Sequence, residues 1–281
     1  MKELSLSNPE LSIEQTDQGV EHYSVMEWIR QAGIPLGILP VVELIAPGLK
    51  VFLTSRLGGI SPPPYDSLNL GRKVGDRWSN VAKNRKLLLE AVGIPSRWLA
   101  RAEQVHGAEI AIVRRGGLYR GVDGLVTTSK NVALLISTAD CYPVIIYSPS
   151  EGALAALHVG RSGAAGGIIE HALEILTQKY RIDTDHAIAL VGPGICRKCY
   201  TVWKKDALRF PEKVRRYYAG NWHLDLLSFC ILELNRGGLK TKNIYNAGYC
   251  TSCRPDLFFS HVRDQGKTGR HWTLAMIAPS P

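Results

Sequence analysis

The stretch from residue 132 to residue 191 constrains this chain most. It holds four short runs, 132–136, 144–147, 154–159 and 188–191, that are almost wholly apolar. Runs of this length without polar alternation read as strands buried in an interior, not as strands with one face in water. Segments 110–113 and 257–260 are expected strands as well. Helices interleave with them. Ser79 is a plausible N-cap for a helix whose face carries Val81, Leu88, Leu89 and Val92, and Gly93 with Pro95 stops it. A second helix follows a glycine-rich turn and places Ile168, Ile169, Ala172, Leu176 and Tyr180 at helical spacing. A third carries Leu224, Leu227, Ile231 and Leu234 and ends at Gly237-Gly238. This alternation implies a mixed α/β or α+β protein whose sheet order the sequence does not state.

With 281 residues and 45% hydrophobic content, the chain has ample material for a core, and 21% charged residues is too low for a disordered chain. No linker interrupts the alternation after Val51, so one main domain, residues 46–281, is expected behind an N-terminal extension of residues 1–45 with a short helix around Trp28. Lysines and arginines exceed acidic residues by 34 to 25, a net charge of +9, which favours anionic partners. The positive residues are dispersed in doublets such as Arg114-Arg115, Lys204-Lys205 and Arg215-Arg216, with no basic tail or recognition-helix pattern. A phosphate-bearing small molecule is therefore expected and a nucleic acid is not. The segment before Gln15 is polar and acidic, without the apolar core of a signal peptide. Residues 34–49 carry Pro35, Pro40, Pro47 and Glu43 and fall short of the roughly 20 apolar residues of a spanning helix, so they read as strand and loop. A cytoplasmic protein with no membrane partner is the expectation, its six cysteines thiols or metal ligands, not disulfides.

Three places could carry chemistry. Cys141 follows a buried strand and precedes Pro143, where the chain must turn. His158 closes the next strand and leads through Gly160, Gly163, Gly166 and Gly167 into a helix, whose free amides suit an anion although no Walker ending is present. His106 precedes Gly107 in a turn. A lone cysteine or histidine is more often structural. Two imidazoles and one thiolate nevertheless make a three-ligand zinc site with a fourth position open, provided the fold brings them together. Cys196, Cys199, Cys250 and Cys253 form two CxxC pairs, a spacing used by structural zinc sites. Their separation of 250 − 199 = 51 is long for a compact zinc ribbon, so two independent thiol pairs is the plainer reading. Cys230 lies in an apolar helix and is assigned to packing.

Several blocks, taken in order, carry a resemblance. They are Arg56-x-Gly58-Gly59-x-Ser61, Tyr65, Ser67-Leu68-Asn69-Leu70-Gly71, Asn84-Arg85, Gln104-Val105-His106-Gly107 and Asp123-Gly124-Leu125. Ala139-Asp140-Cys141-x-Pro143, His158-x-Gly160, Gly192-Pro193-x-Ile195, Tyr200-x-Val202 and Cys250-Thr251 continue the series. Phe258-Phe259-Ser260-x-x-Arg263-Asp264 and Thr268-Gly269-Arg270 complete it. From Arg56 to Arg270 the chain resembles the laccase-domain, or YfiH-like, family. The resemblance implies a single α+β domain of mixed β-sheets flanked by helices. It also implies a metal triad at His106, Cys141 and His158, and phosphorolysis of purine nucleosides, methylthioadenosine included, with deamination of adenosine. Family names also include multicopper polyphenol oxidase and peptidoglycan editing factor.

The chain departs from the family pattern at Arg161 and Ser162, where tryptophan and arginine are usual, and at His261-Val262, where tyrosine and arginine are usual. These changes bear on substrate preference and leave the triad intact. Zinc held by a thiolate and two imidazoles polarises a bound oxygen. Arg56 and the amides after Gly160 are candidate phosphate holders, with Arg161 and Arg263 nearby candidates, and Asp140 is a candidate to orient a ligand or shuttle a proton. The partners expected are purine nucleosides and phosphate, and a monomer is the default with the subunit number left open. The rival reading is a cysteine hydrolase in which Cys141 is the nucleophile and His158 its base, as peptidoglycan-precursor editing would need. Copper phenol oxidation ranks lower, because several coppers need many histidines and the chain has eight. A basic, non-enzymatic binding module rests on net charge alone.

Overall fold

The computed structural model describes residues 26–278. Strands β1 (Glu27–Gln31) and β2 (Ile34–Ile38), helix α1 (Pro40–Ile45) and strand β3 (Leu49–Thr54) lead to the long helix α2 (Trp78–Val92). Seven strands follow in close succession: β4 (Leu99–Ala102), β5 (Ile110–Ile112), β6 (Gly117–Tyr119), β7 (Gly124–Thr127), β8 (Ala133–Thr138), β9 (Tyr142–Ser148) and β10 (Ala153–Val159). Helices α3 (Arg161–Ala165) and α4 (Ile168–Glu174) precede β11 (Ile188–Val191) and β12 (Thr201–Val202). Helix α5 (Lys204–Ala207), strands β13 (Arg215–Tyr218) and β14 (Asn221–Leu224), helix α6 (Leu226–Arg236), β15 (Ile244–Asn246) and β16 (His271–Ile277) complete the order.

The strands form a seven-stranded sheet, β1-β2-β3-β16-β8-β4-β6, a six-stranded sheet, β15-β11-β9-β10-β7-β5, and a small three-stranded one, β12-β14-β13. Pairing in the two large sheets is mixed: β9 runs antiparallel to β10 and β11, whereas β4 is parallel to both β6 and β8. Strand periodicity explains the layering. In β9, Ile145 and Tyr147 face a core shared with Leu134 and Ile136 of β8 and Ala275 and Ile277 of β16, which lies between the two large sheets. Val144 and Ile146 face the other way, onto Ile168, Ile169 and Ala172 of α4 and Phe229 and Leu234 of α6. On the far side of the seven-stranded sheet, Leu135 and Leu274 pack with Leu88 of α2. The central strands are thus covered on both faces, which is why their sequences are continuous apolar runs. Each leucine or isoleucine fully buried there contributes about 1.5–3 kcal/mol.

The expected strands at 132–136, 144–147, 154–159 and 188–191 are present, as are the helices that begin at Ile168 and end before Gly237. Gly93 closes α2 in the left-handed conformation with φ of 67°. Five expectations need correction. Trp28 lies in strand β1, not in a helix, because Ala32 and Gly33 both take positive φ (48° and 82°) and turn the chain into the β1–β2 hairpin. Leu224 ends strand β14, and the third helix starts only after Asp225, whose carboxylate accepts the Ser228 amide as N-cap. The first helix opens at Trp78, with Arg77 rather than Ser79 before it. Residues 257–260 are buried but form no strand: the Phe259 amide donates to His271 Nε2 and the Phe258 carbonyl accepts from Arg263, so side chains replace a ladder partner. Within 34–49 the loop expected after the strand contains the short helix α1. Strand β2 pairs with β3, so the hairpin extends the seven-stranded sheet. Among the described residues, no helix is long and apolar enough to cross a membrane.

Candidate functional site

Three connections step from the seven-stranded sheet to the six-stranded one: β4 to β5, β6 to β7 and β8 to β9. His106 lies on the first, Asp123 on the second and Cys141 on the third. His158, near the end of β10, meets them there. One ligand atom from each of His106, Cys141 and His158 falls within 4.8 Å of the others. The two imidazole rings meet edge to face with centroids 4.8 Å apart. His158 is buried, Cys141 half-buried and His106 exposed, so the cluster opens to solvent on the His106 side.

Asp123 organises this cluster from beneath. Fully buried, its carboxylate accepts the amides of Val105 (2.9 Å), His106 (3.0 Å) and Gly107 (2.8 Å), and one oxygen lies 2.7 Å from His158 Nδ1. Burial opposes its ionisation, but the bond to His158 and these amides prevail and hold its pKa below the usual carboxylate value. With Nδ1 engaged, His158 presents Nε2 to the cluster, the arrangement by which a carboxylate orients a metal-ligating histidine. Gln104 supplies a second brace: its amide exchanges two hydrogen bonds with Ser137 of β8 (2.7 and 2.9 Å), tying the His106 loop to the strand that delivers Cys141. Gln104, His106 and Asp140 take positive φ of 60°, 61° and 93°, so three non-glycine residues in the left-handed region flank this site. Gly160 is required by space. A Cβ there would lie 2.9 Å from Cys141 Sγ and 3.4 Å from the His106 ring.

The electrostatics follow from this packing. Burial resists ionisation of Cys141, yet the charge of His158 and hydrogen bonds from both histidines bring its thiol down to about 6. Burial likewise opposes a charged His158, and the facing thiolate with Asp123 lifts it to about 9. The two shifts run in opposite directions, so each group favours the charged form of the other at neutral pH. The donor set of one soft thiolate and two imidazoles fits zinc, with a fourth position left for another ligand.

The other expected residues are placed as follows. Gly160 precedes α3, and Arg161 on that helix pairs with Asp206 at 3.3 Å. Asp140 accepts from Thr251 Oγ1 (2.7 Å) and from the Val262 amide (2.7 Å), so it fastens two loops beside Cys141. Arg263 donates to the carbonyls of Thr251 and Phe258 and pairs with Asp264. Arg56 spans Asp66 (3.0 Å) and the Pro255 carbonyl and stacks on Phe259. The exposed His261 and Val262 occupy the turn between these loops. Three further residues emerge from the geometry. Asp123 has been described. Arg270 lies close enough to Asp140 and Cys141 for their charges to oppose the lowering that burial imposes on its guanidinium pKa. Tyr200 is pushed up to about 12, first by burial, with Arg161 opposing and Cys141 reinforcing. All three stand inside the sequence blocks named above, which marked their positions but not their roles.

The model of the family described as multi-copper polyphenol oxidoreductase laccase matches residues 50–278. A curated relative, purine nucleoside phosphorylase YlmD of Geobacillus stearothermophilus, is 38% identical over 242 residues, covering 79% of this chain and 88% of that protein. The crystal structure of YlmD from the same organism superposes with a TM-score of 0.85 at 32% identity, over 92% of this chain and all of that one. That of the hypothetical protein YfiH from Bacillus licheniformis gives a TM-score of 0.81 at 27% identity, over 86% and 96%. With the family model matched over residues 50–278 and a relative 38% identical across 79% of the chain, the chain belongs to the laccase-domain, YfiH-like family.

Proposed function

We propose that this protein is a zinc-dependent purine nucleoside phosphorylase acting on adenosine, inosine and methylthioadenosine, with adenosine deaminase activity at the same site. The observation that carries the reading is the convergence of His106, Cys141 and His158 over the buried Asp123, in a chain whose relative is named for phosphorolysis. When bound, zinc supplies Lewis acidity toward an oxygen of water or substrate. The chain supplies the rest. Asp123 keeps the Nδ1 proton of His158, so that Nε2 stays a ligand. Phosphate, a polyanion, suits Arg270, which senses Cys141 directly, and the amides that follow Gly160; Arg56 and Arg263, whose charges meet that of Arg270 at His271, extend the positive potential. A phosphate oxygen displaces the purine from the ribose anomeric carbon, and the purine leaves with the bonding pair and takes up a proton. Tyr200, kept protonated, is a neutral donor beside the site. In deamination, water adds to the ring carbon bearing the amine and ammonia leaves. Arg161, paired with Asp206, stands where the family carries tryptophan, so base preference is expected to differ from that of the relatives.

A second reading has support of its own: Asp123, His158 and Cys141 also form an acid–base–nucleophile series, as a cysteine hydrolase would use. His106 argues against it, since a nucleophile–base pair leaves that ligand without a role. Phenol oxidation by several coppers is disfavoured by the donors: among the described residues only one of the two metal-capable clusters contains histidine. The test is purine release from adenosine and inosine with and without phosphate, beside zinc content. Cys141→Ser, His106→Ala and His158→Ala are each expected to lose the zinc of this site and activity together. Full activity in metal-free wild-type protein, lost in Cys141→Ser, would establish the thiol mechanism instead.

A further inference from the structure

The two CxxC pairs, 51 residues apart at their nearest, are brought together by the fold. One ligand sulfur from each of Cys196, Cys199, Cys250 and Cys253 lies within 4.8 Å of the others. Two separations, Cys199 to Cys253 at 3.4 Å and Cys196 to Cys253 at 3.9 Å, bracket the edge of a tetrahedron around zinc, about 3.8 Å for zinc–sulfur bonds of about 2.3 Å. They are far longer than a disulfide bond, and all four are free thiols.

The backbone around the cluster is already arranged for a metal. Gly194 and Cys250 form a parallel bridge, reinforced by the Thr251 amide donating to the Gly194 carbonyl, so the two loops are zipped before their side chains converge. The Cys250 sulfur accepts the amides of Cys196 (3.2 Å) and Cys253 (3.4 Å). Amide donors to sulfur favour the thiolate, the form a metal takes. Arg197 and Lys198 sit on the first of these loops, where positive charge suits the net double negative charge of a divalent ion with four thiolates, while Arg254 on the second is paired with Asp256. We propose that Cys196, Cys199, Cys250 and Cys253 bind a second, structural zinc ion, separate from the site of His106, Cys141 and His158.

Its place in the fold gives it a task. Thr251, inside the second pair, donates to Asp140, and Arg263 holds the Thr251 carbonyl. A zinc clasp at this point fixes the loop that braces Asp140, the residue preceding Cys141, and so positions one wall of the active site without touching substrate.

Zinc stoichiometry tests the proposal, measured by native mass spectrometry and elemental analysis on protein produced in zinc-supplemented medium and dialysed against a weak chelator. Wild-type protein is expected to hold two zinc ions, Cys141→Ser one, and the double variant Cys199→Ser, Cys253→Ser one. If the catalytic site bound no metal, wild type would hold one and the double variant none, so the two readings fail separately. Should the double variant not fold, Cys141→Ser still decides, because its single zinc must then reside in the clasp. Cobalt taken up by Cys141→Ser protein should give the strong visible bands and near-ultraviolet thiolate charge transfer of a four-sulfur tetrahedral centre. Cys141→Ser protein with no bound metal, and with the four cysteines freely alkylated or paired as disulfides, overturns the proposal, as does iron found in place of zinc.

Discussion

Asp123 is the residue on which the site depends most, because one carboxylate fixes both the His106 loop and the His158 ring. Asp123→Asn keeps the shape but puts an amide where an acceptor of three amides and an imidazole is needed. Zinc affinity is expected to fall by about 10–100-fold, the usual effect of losing a partner behind a metal ligand. Competition with a chromophoric chelator measures it, and an unchanged affinity would reduce Asp123 to a structural part. The titration of the cluster gives a second expectation. With Cys141 near 6 and His158 near 9, protein between these values carries a proton on His158 that the proposed zinc would have to displace. Affinity should therefore rise about tenfold per pH unit in that window, level off above 9 and steepen below 6, where the thiol is protonated too. Calorimetry at pH 8 in buffers of different ionisation heat should count about one proton released. Release of none would mean that the pair is neutral.

At the scale of elements, helix α2 matters through one polar residue in its buried face. Asn84 accepts from the Ile60 amide and donates to Ser61 Oγ and to the carbonyls of Ser67 and Asn69, so it pins the 56–71 loop that carries Arg56. Asn84→Ala strands several of these groups away from water and should cost about 3 kcal/mol, read as a lower urea midpoint at unchanged slope. Less than about 1 kcal/mol would show that the loop holds itself. The helix and its glycine stop were legible from spacing, but this polar residue within its face was not assigned a role. The central strands were legible for the opposite reason: burial on two faces leaves an apolar signature that needs no knowledge of neighbours. Where backbone groups are satisfied by side chains, as at Phe258 and Phe259, an equally apolar segment misleads. Hairpin β1–β2 was missed because Ala32-Gly33 is a weak turn signal for a residue pair that both take positive φ.

At the scale of the molecule, sequence spacing said nothing of which ligands meet. The intervals from His106 to Cys141 and on to His158 became informative only through the family blocks, and the approach of the two CxxC pairs depended on the bridge between Gly194 and Cys250. Acid stability is a further property of the whole. His271, buried against Phe258 and Phe259, is pushed down to about 3, first by burial and then by the charges of Arg270 and Arg56. Between the usual 6.5 and that value the unfolded chain binds a proton that the folded one refuses. The contribution of His271 is therefore complete above 6.5 and falls with pH below it, by up to about 1.4 kcal/mol per unit. His271→Gln should flatten this slope in unfolding curves taken from pH 7 to 4; an identical slope would place the acid sensitivity elsewhere. The steps between sheets have one more consequence. Since His106, Asp123 and Cys141 ride on successive crossings and His158 belongs to one sheet alone, the centre works as a vernier for the alignment of two layers. A misalignment of about 1 Å is enough to cost about 100-fold in rate while leaving most burial intact. Substitutions deep between the sheets, such as Ile145→Ala, should then register as failed catalysts that still fold, and inherited variation there would be mistaken for damage to the site itself.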